Sequence, residues 1–250
     1  MKFILFRHGH SLANQESRIV SSLENGTMTT GGPDGTGFGL SQQGKREVAE
    51  SAKSLSKYIC MSSKPGDEVR VRVLTSPFQR TRQTAEIVHK ELRVAIAIYS
   101  QSALIPDQER MANIIVEGEE PEQIVDLRER FFGEFEMETP SDDLYAKVWH
   151  EDALNASHKQ FGVESVVEVS TRMTGVIRDQ EIKEKADSNS LSGNRPETWV
   201  IIVSHGDSLQ ILQTAMRGWN GNRHRELDHL NTASWRQVQW CEELAIVHRN

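Results

Sequence analysis

Residues 2–11, Lys2-Phe3-Ile4-Leu5-Phe6-Arg7-His8-Gly9-His10-Ser11, decide how the chain is read. Phe3, Ile4, Leu5 and Phe6 form an unbroken apolar run, as in a strand covered on both faces. Arg7, His8 and Gly9 then stand where that strand should end. The arrangement returns late in the chain, where Trp199-Val200-Ile201-Ile202-Val203 runs into Ser204-His205-Gly206. A third strand, residues 69–74 (VRVRVL), ends at Thr75-Ser76-Pro77, and its alternation of valine with arginine predicts one wetter face. In a parallel sheet, residues just past the C-terminal ends of the strands line a common crevice where ligands bind. Three separated stretches therefore point at one place.

Helices fill the intervals. Residues 25–39, rich in Gly, Thr and Pro, read as a loop, and a helix begins near Ser41 with Val48, Ala52, Leu55 and Ile59 on one stripe. Pro65-Gly66 marks a turn. A second helix is expected over 78–92, with Thr81, Ala85, Val88 and Leu92 on one face, and residues 94–99 (VAIAIY) read as another strand. Residues 104–197 hold no convincing strand. Helices are expected near 121–129, 142–157 and 163–185, and the polar stretch 186–196 reads as a loop. The sheet resumes at 199–203, followed by a helix over 207–216 and a strand over 233–240. The pattern predicts a single α/β domain over residues 1–250: a three-layer α/β/α sandwich with a mostly parallel central sheet and a helical insertion at about 104–197 beside the strand ends.

Composition narrows the function. The 250 residues are 37% hydrophobic and 26% charged, with 29 basic against 36 acidic side chains, a formal net charge of −7. This is the profile of a globular chain and argues against a nucleic-acid binder that relies on bulk positive charge. An anionic ligand would need local cations to hold it. The two cysteines, Cys60 and Cys241, lie in no metal-type spacing and read as reduced thiols. No apolar run approaches the roughly 18 residues of a membrane span. The apolar stretch before Arg7 is too short for a signal core, so a cytoplasmic location is expected.

At the crevice, Arg7, His8 and His205 meet a helix that opens after Pro77 and carries Arg80 and Arg82 in its first turns. Free backbone N–H groups at a helix start and guanidinium forks both suit phosphate oxygens. A histidine in a turn can also simply be satisfied by backbone, and Arg82, two residues from Arg80, points elsewhere on the helix. His8-Gly9-His10 is also a His-x-His pattern found in metallohydrolases, but no further Asp-His pair follows and Arg7 would repel a cation.

Residues 6–11 (FRHGHS), 74–85 (LTSPFQRTRQTA) and 203–207 (VSHGD) together resemble the histidine phosphatase superfamily, in its phosphoglycerate-mutase-like branch. Further pieces fall in the family's order: Asn14, residues 39–44 (GLSQQG), 127–136 (LRERFFGEFE), 162–165 (GVES), and Asn231-Thr232 before the last strand. The resemblance spans nearly the whole chain. It implies that His8 is the nucleophile and forms a phosphohistidine. Arg7, Arg80 and His205 would surround the phosphoryl oxygens, with Asn14 as a neutral donor. Glu129 would be the proton donor, and Glu134 and Glu136 are the alternatives nearby. His10 departs from the Glu or Gln common at its position.

The implied chemistry has physical requirements. A histidine nucleophile needs its other ring nitrogen held by an acceptor, which a carbonyl at Gly9 could supply. A carboxyl that acts as an acid near neutral pH needs a raised pKa. The implied activity is metal-independent hydrolysis of a phosphomonoester with no cofactor. The implied partner is a small phosphorylated substrate or a phosphoprotein, with neither nucleic acid nor membrane involved, and the oligomeric state stays open. The rivals are a phosphoglycerate mutase and a non-catalytic phospho-ligand binder on the same fold. Ser208-Leu209 resembles the mutases, but Asp207 stands where they usually have Asn, and residues 130–141 lack their arginine- and proline-rich segment.

Overall fold

The computed structural model describes residues 1–64, 66–102, 112–189 and 196–240. In chain order the elements are β1 (Lys2–Arg7), α1 (Leu12–Gln15), α2 (Leu23–Thr27), α3 (Gln42–Ser62), β2 (Glu68–Thr75) and α4 (Gln79–Ser102). They continue with β3 (Asn113–Val116), β4 (Glu122–Gln123), α5 (Asp142–Leu154), α6 (Val166–Asn189), β5 (Glu197–Ser204), α7 (Gly206–Met216) and β6 (Trp235–Val238). The sheet order is β3-β2-β5-β1-β6, with β4 paired to the far end of β2. β1 and β2 both run parallel to β5, while β6 closes the edge antiparallel to β1.

Alternation along the strands builds two cores. Ile4 and Phe6 of β1, Val69, Val71 and Val73 of β2, and Trp199, Ile201 and Val203 of β5 pack with the stripe of α3 and with Ala85, Val88 and Leu92 of α4. Phe3, Leu5, Leu74, Val200 and Ile202 face the other way, onto α6 and α7. Helices on both faces of a mostly parallel sheet give the three-layer α/β/α sandwich. The register sets Arg7 opposite Ser204, so the segments after β1 and β5 leave the sheet side by side.

Several expectations fail for identifiable reasons. Residues 94–99 are not a strand but the last turns of α4. Ile96 and Tyr99 continue the stripe of Ala85, Val88 and Leu92 into the core, whereas Val94 and Ile98 are 47% and 61% exposed. Helical spacing thus extends through an apolar run that also fits a strand. The stretch 104–197 does contain strands, β3 and β4, both pairing with β2. In place of a helix over 121–129 stand β4 and a single 3-10 turn at Val125–Leu127. α2 occupies the start of the expected loop at 25–39, and α6 runs through 186–189, where a loop was expected. Pro65 and Cys241 lie outside the described residues.

The arginine face of β2 is wet only at its start, where Arg70 is 22% exposed beside Glu68. Arg72 is buried, 2.7 Å from Glu117 and 2.7 Å from Asp187 of α6, with Glu184 at 3.4 Å. Charge pairing replaces solvation there. No helix among the described residues is long and apolar enough to cross a membrane.

Candidate active site

Gly9 begins the turn after β1, and this turn lies against the start of α3. A Cβ on Gly44 would stand 2.0 Å from the carbonyl oxygen of His10, so only glycine admits this approach. Ser41 caps α3 by accepting from the Gly44 N–H at 3.1 Å. The ring of His10 turns to the same serine, with Nδ1 2.9 Å from the Ser41 hydroxyl. Among the described residues, no group of three or more His, Cys, Asp or Glu is arranged to hold a metal ion.

His8 is buried, and its Nδ1 meets the Gly9 carbonyl at 2.8 Å. A carbonyl can only accept, so the proton sits on Nδ1 and the lone pair on Nε2. Arg80, in the first turn of α4, donates from Nε to that Nε2 at 3.2 Å and from Nη2 to the Val20 carbonyl at 2.8 Å. Burial, with Arg80 and Arg7 close by, holds the His8 pKa well below the usual histidine value, so the ring is neutral. His205 shares this state, through burial and then Arg80 and His8. Its ring meets His8 edge to face, with centroids 5.2 Å apart, and its Nε2 lies 2.8 Å from the Ser76 hydroxyl at the end of β2.

Arg7 is aimed by residues just before β6. Its Nη1 donates to Nε2 of His229 at 2.7 Å and to the Leu230 carbonyl at 2.7 Å. A guanidinium has no lone pair to offer, so His229 accepts and is neutral. Partial burial, with Arg7 and Arg225 near, lowers its pKa to about 4. Nε of Arg7, Nη1 of Arg80 and Nδ1 of His205 are buried without a hydrogen-bond partner. Unpaired buried donors are costly, and the two arginines line one spot.

That spot is a cavity of about 90 Å³ whose walls include Arg7, His8, Asn14, Arg80, Glu129 and Tyr145. It is well below the roughly 300 Å³ that a drug-sized ligand occupies, and suits a single small anionic group. His205, edge to face with the His8 ring, is not part of the cavity lining. Asn14 serves as the partner in the cap of α1, its Oδ1 accepting from the Ser11 N–H at 3.0 Å and hydroxyl at 2.8 Å. A wider groove of about 650 Å³ lies along the start of α6, where Arg128 and Arg172 are already paired with Glu164.

Of the three candidate acids, the structure brings only Glu129 to the cavity. Its Oε1 accepts from the Arg130 N–H at 3.0 Å and from the Ser208 N–H and hydroxyl at 3.2 and 3.0 Å. Burial, then the charge of Asp207, raises its pKa against the pull of Arg80. Glu134 is exposed. Glu136 accepts from the Ser21 N–H and from Asn25 Nδ2, both at 2.8 Å, and anchors a loop. Close to it, the Ile19 N–H donates to the Glu138 carbonyl at 3.0 Å, the Met137 N–H donates back to Ile19 at 2.7 Å, and Arg18 Nη1 reaches the Met137 carbonyl at 2.8 Å. This seam joins the segment after α1 to the segment after Glu129.

Three residues at the site escaped the sequence reading. His229 lies outside every motif. Tyr145 of α5 lines the cavity, stacks on Trp149 and meets Phe132 edge to face. Arg130, fully buried, makes two 2.7 Å bonds to the carboxylate of Asp152 and one of 3.3 Å to Asp207. Its only sequence signal was its place beside Glu129, in a run that reads as a solvated face.

Neutral histidines and fixed guanidinium groups at the C-terminal edge of a parallel sheet define an oxyanion site on an α/β sandwich. The family model of the histidine phosphatase superfamily (branch 1) matches residues 109–249, more than half of the sequence, and the chain belongs to that superfamily. No curated protein matches it. Among solved structures, it resembles a mycobacterial glucosyl-3-phosphoglycerate phosphatase in complex with VO3. The TM-score is 0.62 at 19% identity, over 98% of this chain and 93% of that one. It also resembles a protein described as Mycobacterial hydrolase 1, with a TM-score of 0.60 at 20% identity, over 94% of this chain and 87% of that one. At such identities the likeness concerns the fold.

Proposed function

We propose that the chain is a phosphoric monoester hydrolase that works through a phosphohistidine on His8, using only its own side chains. The observation that carries this reading is the meeting of a neutral His8, Arg7, Arg80 and a raised-pKa Glu129 around one small cavity. Family membership and phosphatase-fold neighbours support it.

In the first step the Nε2 lone pair attacks phosphorus, the P–O ester bond breaks, and Glu129 gives its proton to the leaving oxygen. Gly9 keeps the Nδ1 proton in place while positive charge develops on the ring. Arg7 and Arg80 face the charge that spreads over the phosphoryl oxygens. In the second step a water attacks the phosphohistidine, Glu129 takes its proton back, and phosphate leaves with His8 neutral again. The substrate is a small phosphorylated molecule whose phosphoryl group alone enters the cavity, and the site of action is the cytoplasm.

The test is a panel of phosphoesters incubated with chelator and assayed for inorganic phosphate, with rapid quenching to trap an acid-labile phosphoenzyme. Release of phosphate, with trapping lost in His8→Ala, is the expected result. Isomerisation of phosphoglycerate without release would make the protein a mutase. Phosphate binding with neither release nor trapping would make it a binder.

A further inference from the structure

We propose that Ser208 is a positioning residue for proton transfer, fixing the carboxyl of Glu129 so that Oε2 faces the leaving oxygen. This rests on the reading of Glu129 as the proton donor. Ser208 sits in the first turn of α7, directly after the segment that carries His205. It is fully buried and meets Glu129 with both of its donors, the backbone N–H at 3.2 Å and the hydroxyl at 3.0 Å. The Arg130 N–H adds a third donor at 3.0 Å. All three fall on the same oxygen, Oε1, while Oε2 has no hydrogen-bond partner among the described residues. A carboxyl held in this lopsided way keeps its negative end on Oε1 and carries its proton on Oε2.

The hydroxyl has a second acceptor, the Arg128 carbonyl, also at 3.0 Å. With one proton to give, it serves one acceptor at a time. A charged acceptor makes the stronger bond, so the hydroxyl turns to Glu129 when the carboxyl ionises and can turn to Arg128 when it is protonated. Ser208 therefore favours the carboxylate left behind after the proton has moved. The ionisable groups that face Glu129 are Arg7 of β1, Arg80 of α4, Tyr145 of α5 and Asp207 of α7. The Ser208 hydroxyl touches none of them, so Ser208→Ala leaves their contacts in place.

The experiment compares Ser208→Ala and Glu129→Gln with the parent on an alkyl phosphate, a poor leaving group that needs the proton, and on p-nitrophenyl phosphate, which hardly needs it. Ser208→Ala should lose about tenfold or more in kcat/KM on the alkyl ester but no more than about threefold on the aryl ester, within the usual span of general-acid effects. The alkaline limb of the alkyl-ester profile should move to higher pH, because the carboxyl has lost a donor that favoured its charged form. Retained activity on the aryl ester shows that the variant folds. Equal losses on both esters with an unmoved limb would reduce Ser208 to a structural role and overturn the proposal. If Glu129→Gln changes the alkyl-to-aryl ratio and Ser208→Ala does not, this inference alone fails. If Glu129→Gln leaves the ratio at its parent value, the proton-donor reading fails and the inference with it.

Discussion

The rings of His8 and His205 meet at right angles to within a few tens of degrees, 5.2 Å between centroids, and both are buried. Neither can take up a proton without placing a cation against Arg80. An unfolded histidine titrates near 6.5, whereas both folded rings titrate well below that. Between those values the unfolded chain binds more protons than the folded one. Stability is therefore fully present above about pH 6.5 and declines as pH falls. Urea unfolding at about pH 7.5 and about pH 5 should show the decline, and His205→Gln should make it shallower. A curve that stays flat over this range would contradict the buried, neutral pair.

Arg80→Ala should lower kcat/KM by about 3–5 kcal/mol of transition-state stabilisation, or roughly two to four orders of magnitude. The side chain holds His8 Nε2 and also keeps an unpaired Nη1 beside the cavity. Steady-state kinetics measure the loss. Arg80→Lys should recover only part of it, because an ammonium cannot supply the planar fork. Near-parent rates in Arg80→Ala would remove this arginine from the phosphoryl site.

Asp152→Ala should destabilise the protein by about 3–5 kcal/mol, since it strands the guanidinium of Arg130 in the interior. Asp207 would remain as its one carboxylate partner, at the longer distance of 3.3 Å. The shift of the urea midpoint at constant slope measures the effect. A loss below about 1 kcal/mol, typical of an exposed pair, would mean that the pair is solvated.

The parts of the fold that were legible in sequence are those where one signal has one structural meaning. The unbroken apolar runs of β1 and β5, each running into a polar stretch with a glycine, fit a doubly covered strand, and the serine at position 41 marks a helix start. Residues 94–99 are short and apolar enough to serve either period, and the choice was made by the core beneath α4. β3 is four residues long at the sheet edge, with Ile115 43% exposed, so it carries little pattern. Single charged residues were the hardest to read. Arg72 and Arg130 look like surface residues because their carboxylate partners lie 45 and 22 positions away. At the site, His8, Arg7 and Arg80 were legible because strand ends in a parallel sheet converge by topology. Glu129 was singled out over Glu134 and Glu136 by the family resemblance alone; the residue pattern could not separate them, because that depends on which way each carboxyl points from an irregular segment.

The seam between Ile19 and the residues around Met137 makes the two sides of the cavity roof one mechanical piece. A chimera that imports only one side, with a different backbone path, from a relative would break two main-chain bonds together with the Glu136 anchor. Reshaping what the mouth admits therefore requires both segments to be transplanted as a unit, while the histidine and arginine floor can stay untouched.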